Sequence, residues 1–432
     1  MYRPILRRLA CRRVAAAAWL VLSALALSAC QGKTIPGPPA EPQATAPPVT
    51  AIPLPQPPAG PGAGKVRVAL LLPLSGQNAA LGNAMLDAAQ MALYDVADSR
   101  LELLPRDTQG NAEAAAAAAR AALAEGARLI IGPLLAAEVE AVKPVARAAN
   151  VPVVAFSTAT QLAGDGTYLM GFLPRQEIER VTAFAHSKGV NRFAALAPRT
   201  AYGDIAVEAL RAAVQENGAT LEKVETYDPG AQDVTPSVQR LVGTTVDPAL
   251  RKKQTSKPGA GGKPEPEIPD IVIPFDAILI PEGGTRLKSV APLLPYYDVD
   301  PDKVHFLGTG LWDEPGLGTE PALAGGWYAA PPPAARADFD KRFREVYHHP
   351  PPRLATLAYD ATALAAVLGR GANGPDFSPA AIANPSGFAG VDGIFRLRPD
   401  GLIQRGLAVL EVHRNGNTVV SPAPTTFQTL GY

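Results

Sequence analysis

From residue 65 onward, short and nearly continuous apolar runs alternate with Ala-rich stretches of helical spacing, and few folds accommodate that alternation. The first unit reads KVRVALLLPLSGQNAALG: seven mostly apolar or β-branched residues stop at Pro-Leu-Ser-Gly, and a helix-like pattern follows. Strands are expected at 66–72, 101–104, 129–131 and 153–156, and helices at 82–97, 111–125 and 138–149. Strands that lack polar alternation are buried on both faces, and strands separated by helices pair in parallel. The segment therefore predicts a parallel sheet with helices on both sides. A second set follows, with helices at 175–188, 205–217, 235–241 and 285–294 and strands at 192–197, 221–227, 277–280 and 304–307. It predicts a second doubly wound lobe. After residue 325 come a strand in GWYAAP, helices at 337–347 and 354–368, and strand-like pieces in GIFRLRPDG and LAVLEVHRNGN. The last holds Asn415-Gly416, a hairpin turn signal. No repeat with a period of about 20 to 50 residues stands out.

Two stretches interrupt the alternation. Residues 246–273 include RKKQTSKPGAGGKPEPEIPD, rich in Lys, Pro and Gly and without apolar period, and are expected to be a disordered surface insertion within the second lobe. Its basic half reads either as a solvated loop or as a contact for an acidic partner. Residues 31–64 are Pro-rich and nearly uncharged, which favours extended polyproline II and predicts a semi-rigid tether. Before the tether, residues 1–29 read as an export signal: an Arg-rich start, an apolar run over 14–27 that is short of the ~20 residues a membrane helix needs, then Leu-Ser-Ala-Cys. That ending resembles the lipobox of bacterial lipoproteins, which implies a diacylated Cys30 as the new N-terminus and membrane anchor. A plain signal peptide with a chance Cys is the alternative. Gln31, not Asp, after the Cys implies release to the periplasmic face of the outer membrane in a two-membrane organism. The other cysteine, Cys11, falls inside the signal, so the mature chain is expected to carry no disulfide.

Charge and motifs exclude several function classes. Basic and acidic residues number 40 each, and removing Arg3, Arg7, Arg8, Arg12 and Arg13 with the signal leaves 35 basic residues against 40 acidic. No basic cluster predicts nucleic-acid binding. The sequence has no Gly-x-Ser-x-Gly elbow, no His-Glu-x-x-His and no Gly-x-x-x-x-Gly-Lys-Ser/Thr phosphate loop. GTGLWDEPGLG, residues 308–318, lacks the third glycine of a nucleotide loop and is expected to line a cleft or pass near a hinge. The adjacent His348 and His349 point about 100° apart on a helix, so they make a poor metal pair. Asp313-Glu314, Glu265 and Glu267 fall in loop-like sequence without a burial signal, which leaves no candidate acid–base catalyst. No catalytic residue, metal or cofactor is predicted.

The order of the pieces resembles the type I periplasmic binding proteins, of the Leu/Ile/Val-binding kind. The resemblance rests on Pro73–Gly76 after the first strand, Asp107-Thr108 with Gly110, Ile131-Gly132-Pro133, residues 151–157, Tyr202-Gly203, and FAGVDGIFRLRPDG, and it runs over residues 65–420. It implies an α/β fold of two doubly wound, Rossmann-like lobes joined by a three-crossover hinge, with 65–172 and 326–386 in the first lobe and 173–325 and 387–432 in the second. Ligands of open α/β sheets meet the loops at the carboxyl ends of strands, so the loop at 73–76 is expected to face an inter-lobe cleft. The implied cleft residues are Ser75, Gly76, Pro133, Ser157, Thr158, Tyr202, Glu282 and Thr309. Ser75 and Ser157 offer donors for a carboxylate, Tyr202 caps the site from the other lobe, and Glu282 meets an ammonium group. Ser75 and Ser157 also suit helix N-caps and Glu282 a solvated turn, and Pro133-Leu134-Leu135 stands where such proteins are often rich in Ser.

Within that fold, the lipobox, the tether and VPVVAFST with YLMGFLPRQEIERVTAFAHSKGVNRFAALAP look most like the penicillin-binding-protein activator lipoproteins. That likeness implies a non-catalytic, lipid-anchored regulator of peptidoglycan synthesis, acting by contact with a penicillin-binding-protein synthase. The better-known activators carry a helical-repeat domain before the binding fold, where this chain has the Pro-rich stretch. The alternative is a receptor for an amino acid or related small molecule, serving an ABC-type transporter.

Overall fold

β1 (Val66–Leu72) buries every residue except Arg67, as a central parallel strand must. Its neighbours are β2 (Leu101–Asp107) and β3 (Leu129–Ile131), and β4 (Val153–Ala155) and β5 (Thr167–Leu169) complete a parallel sheet of order β2-β1-β3-β4-β5. Pro105, which cannot donate to a ladder, is accommodated because β2 is an edge strand. Alternate residues of β1 serve the two faces. Val68, Leu70 and Leu72 pack with Met85 and Ala89 of α1 (Ala79–Val96), and Ala69 and Leu71 with α2 (Ala112–Ala124) and α3 (Ala136–Ala148). The computed structural model describes residues 64–96, 99–249, 272–371 and 374–427; the export segment, Cys30, the Pro-rich stretch and residues 250–271 of the predicted insertion lie outside them.

The second lobe repeats the plan with α4 (Pro174–Ser187), β6 (Arg192–Pro198), α5 (Ala201–Glu216), β7 (Thr220–Tyr227), α6 (Thr235–Val242), β8 (Ala277–Leu279), α7 (Gly284–Val290), α8 (Leu293–Tyr296) and β9 (His305–Gly308). The helix expected at 285–294 is broken after Val290, where Pro292 supplies no N–H. β10 (Trp327–Ala330) then joins β9 in parallel. Helices α9 (Pro333–Tyr347) and α10 (Ala355–Gly369) return to the first lobe, where Phe339 and Phe343 pack on α1 and Leu364 and Ala365 on the first sheet's core. Short strands β11 (Phe388–Gly390), β12 (Gly393–Leu397) and β13 (Ile403–Arg405) form a three-stranded antiparallel sheet on that same core, and β14 (Ala408–Glu411) and β15 (Thr418–Ser421) close the second sheet as β15-β14-β10-β9-β8-β6-β7. The Asn415-Gly416 turn signal falls in the six-residue loop between β14 and β15.

Two expected boundaries move. Residues 327–330 belong to the second sheet, because Trp327, Tyr328 and Ala329 are buried between β9 and β14. Residues 388–405 belong to the first lobe, because Phe388, Phe395, Leu397 and Ile403 complete its core. The chain therefore crosses between lobes at 170–173, 331–332 and 406–407. In both lobes a proline at the end of the first strand, Pro73 just after β1 and Pro198 as the last residue of β6, has its carbonyl pressed against a helical glycine. A Cβ on Gly82 would lie 2.1 Å from the Pro73 oxygen, and one on Gly203 1.9 Å from the Pro198 oxygen. Glycine lets each helix pack close behind the end of its strand. Among the described residues, no helix is long and apolar enough to cross a membrane.

Candidate functional site: the cleft between the lobes

A cavity of about 780 Å³ lies between the lobes, walled by residues of both. The first lobe contributes Leu81 from α1, Leu134 and Leu135 from the segment after β3, Phe156, Ser157 and Thr158 from the segment after β4, and Arg353 and Leu354 ahead of α10. From the second come Glu177 of α4, Tyr202 and Ile205 of α5, and Gly310, Leu311 and Asp313 after β9. Phe172 and Pro331 of the crossovers line it as well, with the flanking Pro174 and Ala330. The walls are mainly apolar.

The loop after β1 has a different occupation. Asp107, at the end of β2, accepts hydrogen bonds from the N–H groups of Leu74 (2.9 Å), Ser75 (3.2 Å) and Gln109 (2.8 Å) on one oxygen and from the Ser75 hydroxyl (2.6 Å) on the other. Burial works to raise the Asp107 pKa, but the hydrogen bonds from Ser75, Gln109 and Leu74 outweigh it and hold the carboxyl below its ordinary value. Ser75 is thus a staple between β1 and β2, and neither it nor Gly76, at φ +77°, is among the cavity's walls. Pro133 is buried one step behind the wall, its carbonyl accepting the Phe156 N–H at 3.0 Å, and Leu134 and Leu135 reach the cavity instead. The preceding Gly132 has φ +86°, and a Cβ there would lie 2.2 Å from the Leu71 oxygen, so the turn that delivers these leucines requires glycine.

Ser157, Thr158 and Tyr202 do meet at the cavity. Ser157 is 5% exposed, and its oxygen accepts the Ala159 N–H at 3.2 Å. The Tyr202 hydroxyl donates to Thr309 Oγ1 at 2.8 Å, and Thr309, fully buried, lies behind the wall as the support of Tyr202. Burial, and after it the carboxylate of Glu177, pushes the Tyr202 pKa upward. Glu282 also stands back. It accepts the Tyr227 hydroxyl at 2.6 Å and is absent from the cavity walls.

Sequence reasoning missed the charged part of the site. Glu177 is 5% exposed, and one of its oxygens accepts the Gly310 N–H at 2.8 Å. Burial drives its pKa to about 7, opposed by that hydrogen bond and by the charges of Arg353 and Arg405. The available signal was its position: with Ile178, Val181 and Ala185 it lies on the buried stripe of α4, where an unpartnered acid is out of place. Arg353 gave no such signal in PPPRL. It contacts Asp392 at 3.0 Å and Asp313 at 3.7 Å, and its guanidinium stacks 4.1 Å from the Phe172 ring centre. Arg405 lies 4.8 Å from that same ring and donates to the Met170 carbonyl at 2.9 Å, so two guanidinium groups grip the first crossover. Asp360, buried behind them, has its pKa pushed up to about 7, first by burial and then by Asp392.

Two doubly wound lobes, three crossovers and a cavity shared between them define a two-lobed binding protein. Residues 65–417 match the periplasmic binding protein family, and the chain belongs to it. The α/β, two-lobed fold expected from the sequence is borne out. Similar solved structures include a putative branched-chain amino acid ABC transporter from Rhodospirillum rubrum, 18% identical with a TM-score of 0.66 over 82% of this chain and 100% of that one. An ABC transporter substrate-binding protein from Sphaerobacter thermophilus is 19% identical, with a TM-score of 0.64 over 84% of this chain and 98% of its own. A branched chain amino acid ABC transporter periplasmic ligand-binding protein from Burkholderia xenovorans LB400 is 17% identical, with a TM-score of 0.63 over 84% of this chain and 96% of its own. At these identities the likeness is one of fold. An uncharacterized protein of Rickettsia prowazekii (strain Madrid E) is 22% identical over 196 residues, 45% of this chain and 52% of that protein, so the match spans about half the relative's length.

Proposed function

We propose that this chain is a non-catalytic solute-binding protein of the periplasm, whose lobes close on a small molecule and present it to an ABC-type transporter. The observation that carries the reading is the cavity of about 780 Å³ walled by both lobes, a volume suited to one small metabolite. The fold likeness to ABC-transporter binding proteins supports it. In this reading Ser157, Thr158 and Tyr202 touch the ligand, while Ser75, Gly76, Pro133, Thr309 and Glu282 hold the loops that position them. Leu134 and Leu135 make the site more apolar than one built for a free amino acid alone. The test is a thermal melt of the protein against amino acids, organic acids, amines and peptidoglycan fragments. A ligand at 100 times its dissociation constant stabilises by about 2.7 kcal/mol, which raises the midpoint visibly. A selective rise is expected, and no rise with any class would sink the reading.

A second reading is favoured by those same leucines, which replace polar grip with apolar surface. Here the chain regulates peptidoglycan synthesis by touching a penicillin-binding-protein synthase, anchored through a lipid on Cys30 to the periplasmic face of the outer membrane and spaced from it by residues 31–64. Co-purification of a synthase that survives alanine at both Ser157 and Tyr202, with no melt response to any solute, would favour it over the receptor.

A further inference from the structure

Glu177 lacks what its surroundings demand. An ionised carboxylate is costly to bury without a contact cation, and 95% of this residue is withdrawn from solvent by its 5% exposure. The other carboxylate on the cavity wall, Asp313, has Arg336 at 3.6 Å and Arg353 at 3.7 Å. Arg353 is occupied as well, by Asp392, the Thr356 hydroxyl and the face of Phe172. Among the described residues, Glu177 receives one hydrogen bond, from the Gly310 N–H to Oε2, and no cation lies in contact with it. It lines the cavity beside apolar walls that include Leu134, Phe156, Ile205 and Leu311.

We propose that Glu177 is the cation-binding residue of the cleft, and that the cavity takes an amphipathic cation: an amine or guanidine carried on an apolar body. The inference rests on the cleft being a solute site. The cationic group completes the buried carboxylate's pairing on Oε1, and the apolar body displaces water from the leucine, isoleucine and phenylalanine walls. Among the described residues that line the cavity the one guanidinium is that of Arg353, already paired with Asp392 and Asp313, so the walls offer an anionic solute no free cation. Glu282, given the ammonium role by the sequence, is turned to Tyr227 and leaves that role to Glu177.

Matched sets of compounds test this. Phenethyl, isoamyl and hexyl bodies are each offered as amine, alcohol and carboxylate to the full chain, with the melting midpoint and then the dissociation constant as readouts. Amines are expected to raise the midpoint where their alcohols and carboxylates do not. Glu177→Gln, which keeps an acceptor for Gly310, should weaken the amine about tenfold or more, as expected for losing a hydrogen bond to a charged group. On the unaltered protein, amine affinity should fall roughly tenfold from about pH 8 to about pH 5.5 as Glu177 takes up a proton. The groups that set this titration are the Gly310 N–H, Arg353, Arg405, Asp313 and Tyr202, which together face Glu177. Alcohols or carboxylates binding as well as amines would overturn the cation assignment and leave the solute site standing. Amine selectivity that survives Glu177→Gln, or is indifferent to pH, would overturn the role of Glu177. Silence from every charge class would overturn both.

Discussion

Gly203 and Glu177 each carry a cost that their surroundings impose. An alanine at Gly203 would place its Cβ 1.9 Å from the Pro198 oxygen, a separation no real contact shows, so the first turn of α5 must shift. Gly203→Ala is expected to destabilise by about 1–3 kcal/mol, read as a lowered urea midpoint with unchanged slope. Glu177 acts through its proton. Its folded pKa of about 7 exceeds the ordinary 4.5, so the folded state binds the proton more tightly than the unfolded chain does. The stability it contributes is full below about pH 4.5, is lost as pH rises toward 7, and does not return above 7. Glu177→Gln removes that titration, and the variant should be more stable than the parent at pH 8 by about 2–3 kcal/mol while differing little at pH 4.5. A variant no more stable at pH 8 would mean that Glu177 is already compensated in the free protein. Such a gain would show that the ionised Glu177 costs stability in the free protein, as the proposed cation site requires.

At the scale of elements, the sequence was most legible where the hydrophobic period was regular. Apart from β5, which no expected span covered, and the helix broken before Pro292, the strands and helices of the two doubly wound sets lie within a few residues of their expected spans, because Val66–Leu72 and its counterparts carry an unbroken apolar signal. What stayed hidden depended on contacts distant in sequence. Nothing local in GWYAAP says that it pairs with both β9 and a strand whose Glu411 lies 84 positions beyond Trp327. Ser75 was visible as a polar residue at a strand end, but its partner Asp107 is 32 positions away. The first crossover shows the same limit. Phe172 reads as one more apolar residue, yet both Arg353 and Arg405 lie against its ring, and Arg405 also reaches Met170 and donates its backbone N–H to Gln176 Oε1. Arg405→Met should therefore leave buried Asp360 without its nearby charge and Asp392 with Arg353 alone. The expected loss is about 3–5 kcal/mol, measured by urea unfolding, and a near-neutral result would show the cluster to be replaceable by apolar packing.

For the whole molecule the question is what sets the separation of the lobes before a ligand arrives. Asp313 belongs to the second lobe, following β9, whereas Arg336 of α9 and Arg353 ahead of α10 belong to the first. The two guanidinium groups lie 3.6 and 3.7 Å from Asp313, with all three side chains about a quarter exposed. Partly screened pairs of this kind contribute up to about 1 kcal/mol each, too little to stabilise either lobe but enough to bias an equilibrium between open and closed arrangements several-fold. Asp313→Asn breaks both pairs and leaves each arginine its other carboxylate, Asp340 for Arg336 and Asp392 for Arg353, so folding should be little affected. The ligand-free variant is then expected to show a larger radius of gyration by small-angle scattering. Ligand affinity should fall by the same factor as the population of the closed form, because a ligand that needs that form binds in proportion to how often it is present. Raising salt should move the parent toward the variant and leave the variant unmoved. Equal radii at every salt concentration would show that the crossovers alone fix the lobes, and would remove Asp313 from any part in closure.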